Sequence, residues 1–383
     1  MLAHYAEPVM HWRVGTVAAV ERSWGRAVQY AVDLDSPGQA PGPRVRALGY
    51  ADLVGVLGAG DRVLLTTSAL ERGLGTGGLA FVVAAPDRLP PDPPAGPGHI
   101  VKARYTPQQQ IVLAVDEQES PHHGVLSSGS AAAGDLAGLP VLVADVHSAL
   151  APILVGVRSL APQARVVHLY TDGGALPAAF SMTLARLAEL GWLTATGTVG
   201  QAFGGDFEAV TLHSGLLAAR YVFAADLVVV AQGPGNVGTG TPYGFTGLAA
   251  GEALNAVHVL GGRGFGALRI SAADARERHH GISHHSRTAF GRVVLGEASL
   301  IVPHLPGEFG ALVAQQAGDL AAGARGQVTL ISEPVDGLLE ALRACPIPLS
   351  SMGRGLDADE EYFLAQAAAG RAVARTLGSA EAR

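Results

Sequence analysis

The chain has 383 residues, enough for two or three domains with a sizeable buried core. Hydrophobic residues make up 48% and charged residues 15%, which excludes a disordered polar chain. The formal charge of −7 argues against broad non-specific nucleic-acid binding.

The opening residues show no basic stretch followed by an apolar core, and charges or glycines cut every apolar run before spanning length. Cys345 is the lone cysteine, so no intrachain disulfide framework exists. A cytoplasmic protein with no membrane contact is expected. Of the 26 basic residues one is a lysine, Lys102. In so arginine-rich a chain, a retained ammonium points to a place where a guanidinium does not serve.

Residues 10–85 read as short strands rich in valine and small residues, separated by Gly and Pro turns: VGTVAAVE, AVQYAVDL, RVRALGY, GDRVLLTT and LAFVVAA. Residues 1–85 are therefore expected to form a small all-β, barrel-like domain. The Pro-rich stretch PDRLPPDPPAGPG (86–98) opens a linker running to 138, with one or two extended strands in it.

Residues 139–383 are expected to form an α/β ligand-binding domain. VLVADVH (141–147), VVHLYTD (166–172), LTATGTV (193–199), LVVVAQG (227–233), LRISAAD (268–274), LIVP (300–303) and VTLIS (328–332) are apolar runs suited to strands buried on both faces. Helical periodicity falls between them at 175–190, at 206–221 with Asp206 as N-cap, and at 308–322. A last helix follows Asp357. Alternation of this kind predicts an α/β fold: a doubly wound, mainly parallel, Rossmann-like sheet behind the small N-terminal barrel.

Ligands of such sheets bind beyond the carboxyl ends of the strands, and here those ends are polar. Asp145 and His147 follow the first strand and can act as acid, base or metal ligands; Asp172 follows the second. The loop GPGNVGTGT (233–241), with Gly233, Gly235, Asn236, Gly238 and Thr239, can turn backbone N–H groups toward an anion. In DARERHHGISHHSR (274–287), Asp274 accompanies Arg276 and Arg278, which can clamp a carboxylate or phosphate. His280 and His284, four apart, are a possible divalent-metal pair. Lys102, on a short extended segment, is a further candidate for the ligand.

Several motifs recur together: GDRVLL, GLGTGG, GHIVKARYTPQQ, TDGGALP, GQAFGGDFEAV, GPGNVGTGT, ISAADARERHHGISHH and SMGRGLDADEEYF. This set resembles a bacterial family catalogued only as a domain of unknown function, over nearly the whole chain. The resemblance implies a full-length member and brings no activity, cofactor or catalytic residue with it.

From the residues alone, the expected function is an enzyme, a transferase or hydrolase, acting on a small anionic or phosphorylated substrate at the strand ends. A non-catalytic module that senses a nucleotide or metabolite, or drives assembly, is the alternative. A metal-dependent hydrolase is the third reading. A small anionic ligand is the expected partner, with no nucleic acid and with scope for a homo-oligomer.

Overall fold

The computed structural model describes residues 10–378. The chain divides after Gly96 into two compact units. In the first, β1 (Trp12–Trp24), β2 (Ala27–Leu34), β3 (Arg44–Tyr50), β4 (Arg62–Thr66) and β5 (Ala80–Ala84) close a barrel in the order β1-β2-β3-β5-β4. Val63 and Leu65 on β4 alternate inward and join Tyr30, Val32, Val45 and Val82 in its core. The five runs read as strands are the five staves. Closing the sheet leaves no edge along which another chain could pair.

The second unit begins with a short antiparallel pair, β6 (Ile100–Lys102) and β7 (Gln110–Val112). Residues 123–132 then form two helical turns, and Leu136 is buried with its N–H on Leu260 O. This stretch is therefore part of the folded unit rather than a loose tether.

The main sheet consists of β8 (Pro140–Ala144), β9 (Val166–Thr171), β10 (Ala195–Thr198), β11 (Phe207–Glu208), β12 (Leu227–Gln232) and β13 (Arg263–Ala267). After a small hairpin of β14 (Ile270–Ser271) and β15 (Gly281–Ile282) come β16 (Glu297–His304) and β17 (Gln327–Pro334). The eight main strands run in the order β11-β10-β9-β12-β8-β13-β16-β17, every neighbouring pair parallel.

β8, β9 and β12 are buried along almost every residue, as their unbroken apolar runs require. From β8 the chain steps outward to β9, β10 and β11, then returns to insert β12 beside β8 and continues the other way. Right-handed crossovers then put the helix Leu150–Leu160 on one face and the helices Leu212–Tyr221 and Ala249–Val259 on the other. The C-terminal helix Glu360–Gly378 lies against Leu150–Leu160. Gly156 and Gly370 sit where a Cβ would collide with Ala367 O and Ile153 O, so the two helix backbones nearly touch.

Two boundaries differ from the sequence reading. The strand expected at 268–274 lies earlier, at Arg263–Ala267, where glycines disguise it; Arg269 and Asp274 are left on the rim beyond its end. Asp206 does not cap a helix: its carboxylate accepts Thr196 N–H at 2.7 Å. Phe207–Glu208 is a strand, and Thr211 caps the helix through Ser214 N–H.

Candidate functional site

Register aligns the strand ends. Ala144 pairs with Ala267, and Thr171 with Gln232, so Asp145, Asp172, Gly233 and Arg269 all start from one rim. The connections after β8 and β13 leave in opposite directions, and so do those after β9 and β12. These divergences open crevices where ligands bind in doubly wound sheets. A cavity of about 310 Å³ lies there, its polar lining including Asp145, Asp172, Gln232, Thr246, His213 and Glu252. That volume is at the small end for ligand pockets, roughly 300–1,000 Å³.

Asp145 is 2% exposed, and its Oδ2 has no hydrogen-bond partner among the described residues. Burial pushes its carboxyl up to about 6; Arg269 partly opposes this. Gln232 spends its Nε2 on Asp145 O at 3.0 Å, while its buried Oε1 is also without a partner among the described residues. Buried polar atoms are paired in the great majority of cases, so two unpaired acceptors beside a cavity mark a place for a donor group.

His147 is occupied. Ser181 Oγ accepts Leu184 N–H at 3.0 Å and donates to His147 Nε2 at 2.6 Å; His147 Nδ1–H donates to Gln232 O at 3.3 Å. Burial lowers the ring to about 4, so it stays a neutral strut between loops. Asp172 lines the cavity, and one of its oxygens accepts Gln201 N–H at 2.8 Å. Gly174 beside it serves close approach: a Cβ there would meet Gly233 O.

Lys102 is 1% exposed and donates to Ala209 O at 2.9 Å and Ala202 O at 3.0 Å, with Thr198 O and Glu208 Oε2 both at 3.5 Å. Burial lowers the ammonium's pKa and raises that of Glu208. A compact ammonium collects several carbonyls here, which a planar fork does not. Its work is to hold the β10 loop.

The glycine loop is likewise turned on itself. Asn236 Oδ1 accepts Thr246 Oγ1–H at 2.8 Å and Gly247 N–H at 3.2 Å; Thr239 N–H donates to Gly244 O at 2.7 Å. Gly238 bridges Phe245, and residues 237–243 stand exposed beyond the rim.

Next to Asp145 lies a charged cluster. Asp274, 5% exposed, is gripped by Arg276 through paired bonds of 2.8 and 2.7 Å, which hold its carboxyl far below the usual range. Arg354 reaches Asp274 at 3.5 Å and Asp359 at 2.9 Å, and Ser271 Oγ–H donates to Asp359. Arg269 is 4% exposed and meets Asp274 only at 4.0 Å, beyond hydrogen-bond range. Arg278 is exposed.

The histidines that assemble are His279, His284 and His285, whose ring nitrogens lie within 4.8 Å of one another. His280 turns instead to Phe309, ring centroids 5.5 Å apart.

The rim thus brings together Asp145, Asp172, the glycine loop and the Asp274–Arg276 pair, and spends most of their polar atoms internally. Sequence reasoning did not single out Arg269, Arg354 or Asp359, and within the histidine-rich segment it paired His284 with His280 rather than with His279 and His285. Arg269 carried a signal, as an arginine inside the apolar run LRI; the others lay in motifs noticed only as a set.

No helix among the described residues is long and apolar enough to cross a membrane. No curated protein and no solved structure matches the chain. A family model described as Protein of unknown function (DUF3866) matches residues 46–370, the later strands of the barrel and nearly all of the α/β unit. The chain belongs to this DUF3866 family.

Proposed function

We propose that this protein is an enzyme of the hydrolase or group-transferase class acting on a small substrate at the carboxyl rim of the sheet. The uncharged, hydroxyl-bearing part of the substrate occupies the cavity against Asp145 and Gln232. Its anionic group, a phosphate or carboxylate, is met by Arg269 with the exposed Arg276 and Arg278.

One observation carries the reading: a buried carboxyl at a strand end, titrating near neutral pH, with one oxygen unpaired beside a cavity and a buried arginine as its charged neighbour. A carboxyl at about 6 can give or take a proton at working pH, which is what a general acid or base needs. The lining contains no Arg or Lys, so the anion sits outside the cavity and the reacting hydroxyl or ester oxygen inside. The lone, half-buried Cys345 agrees with a reducing cytoplasm.

The test is turnover of phosphomonoesters, phosphodiesters and carboxylate esters by the wild type and by Asp145→Asn. One class is expected to be turned over, with at least about 10²-fold loss in the variant and an intact unfolding transition. A ligand that stabilises both proteins equally, with no turnover in either, returns the site to non-catalytic sensing.

A further inference from the structure

We propose that His279, His284 and His285 form a three-histidine site for a divalent transition metal of the zinc type. This does not depend on the enzymatic reading.

The local fold builds the site from two turns. The β14–β15 hairpin doubles the chain back, and Gly281, at φ +73°, makes the bend at a point where a Cβ would strike the Gln316 side chain. Ile282 N–H then donates to Gln316 Oε1 at 2.6 Å, fixing the exit from the hairpin. Ser283 starts the short helix His284–Thr288, and its Oγ accepts His285 N–H. His279 is thereby returned onto His284 and His285: the three ring centroids are 4.8, 5.1 and 4.3 Å apart pairwise. The i, i+4 spacing rule points to His280 and His284, but it holds only on a continuous helix, which this segment is not.

Three details go beyond proximity. His279 Nδ1 is hydrogen-bonded to Ser283 Oγ at 2.8 Å; in the tautomer with the proton on Nδ1, Nε2 is the nitrogen open to an ion, the way metal-ligating histidines are held through their other nitrogen. The His285 ring lies flat on Phe245, centroids 4.0 Å apart at 6°, so its orientation is set before any ion arrives. His285 Nδ1 is buried and has no partner among the described residues. Tetrahedral bonds of 2.0–2.1 Å place ligand nitrogens about 3.3 Å apart, so nitrogens within 4.8 Å of one another need close by at most about 1.5 Å.

A divalent ion among arginines requires compensation. Arg269, Arg276 and Arg354 face Asp145, Asp274 and Asp359, three guanidinium groups against three carboxylates in the same cluster. Arg278 and Arg287 remain near the histidines, and they favour an anion or hydroxide in the fourth position of the ion. The other cluster with suitable donors among the described residues, His99, Glu117 and Glu119, is already committed. Glu117 accepts the N–H groups of His99 and Ala114, and Glu119 accepts that of Gly98.

The test uses the full chain, stripped with chelator and titrated with Zn²⁺ by calorimetry, then loaded with Co²⁺ for visible absorption. One Zn²⁺ per chain is expected, with the intense bands of four- or five-coordinate Co²⁺. His284→Gln, at a partly exposed position, is expected to weaken binding more than the 10–100-fold typical of losing a supporting residue, with an unchanged circular dichroism spectrum. His279→Gln should do the same, and His99→Gln should change nothing. Absence of Zn²⁺ binding by the wild type, or full affinity in a folded His284→Gln protein, overturns the proposal. So does loss of the site in His99→Gln.

Discussion

The flank of the sheet around β10 and its centre around β8 both bury charge, and they treat it in opposite ways. At the flank, Lys102 collects carbonyls, Glu208 accepts Thr198 Oγ1–H and Gly204 N–H, and Asp206 and Asp172 each hold a backbone N–H. At the centre, Asp145 Oδ2, Gln232 Oε1 and His285 Nδ1 are buried without partners among the described residues, and Arg269 meets Asp274 only at 4.0 Å. A satisfied network rigidifies; an unsatisfied one costs free energy that only a bound group recovers. Burial of charge alone therefore does not mark a site, whereas burial with unmet hydrogen bonds does.

The largest expected effect lies at the flank. Lys102→Met leaves Glu208 and several carbonyls buried without their cation and should cost about 3–5 kcal/mol, read by denaturant unfolding. A change below about 1 kcal/mol would break the contrast, because the flank would then not depend on its ammonium.

Asp145→Asn should act in the opposite direction. The folded carboxyl titrates at about 6 against an ordinary 3.8, so the native state takes up the proton first. The stability of the wild type relative to Asp145→Asn should accordingly rise as pH falls from about 7 toward 4, and level off below that; buried neutral histidines such as His147 and His168 lose stability over the same range in both proteins and cancel in the difference. Two pH units correspond to at most about 3 kcal/mol, so the variant should be up to that much more stable above pH 7. The two proteins should converge below about pH 4 in paired urea titrations. A variant less stable than wild type at pH 7.5 would mean that Asp145 is paired after all.

The glycine loop sharpens the comparison at intermediate size. Asn236→Ala removes two hydrogen bonds and should cost about 1–2 kcal/mol in thermal unfolding while leaving ligand-induced stabilisation in place. Loss of that stabilisation would make the loop part of the site. Smallest is Arg278→Ala. It should stay within about 0.5 kcal/mol of wild type in stability, yet weaken binding of an anionic ligand in calorimetry.

Much of the architecture was legible because strands buried on both faces must be apolar throughout: β8, β9 and β12 announce themselves. β13 did not, since two of the five residues of RGFGA are glycine, and the two-residue β11 is too short to carry a period. For the site, Asp145 could be found as the first polar residue after a buried strand. The role of Lys102 could not, because its carbonyl partners lie about a hundred residues away and exist only once the sheet has formed. The histidine-rich segment was visible but its pairing was not, for a related reason: a glycine bend, not helical periodicity, brings His279 onto His284 and His285.

The most direct test of the central claim is ligand-induced thermal stabilisation, with a panel of small phosphorylated and carboxylated compounds applied to the wild type, Asp145→Asn and Arg269→Gln. The account expects at least one compound to raise the wild-type Tm, since binding to the folded state alone stabilises it, with the shift reduced in both variants. A shift of the same size in all three proteins would contradict it, as would a panel that leaves the wild type unmoved.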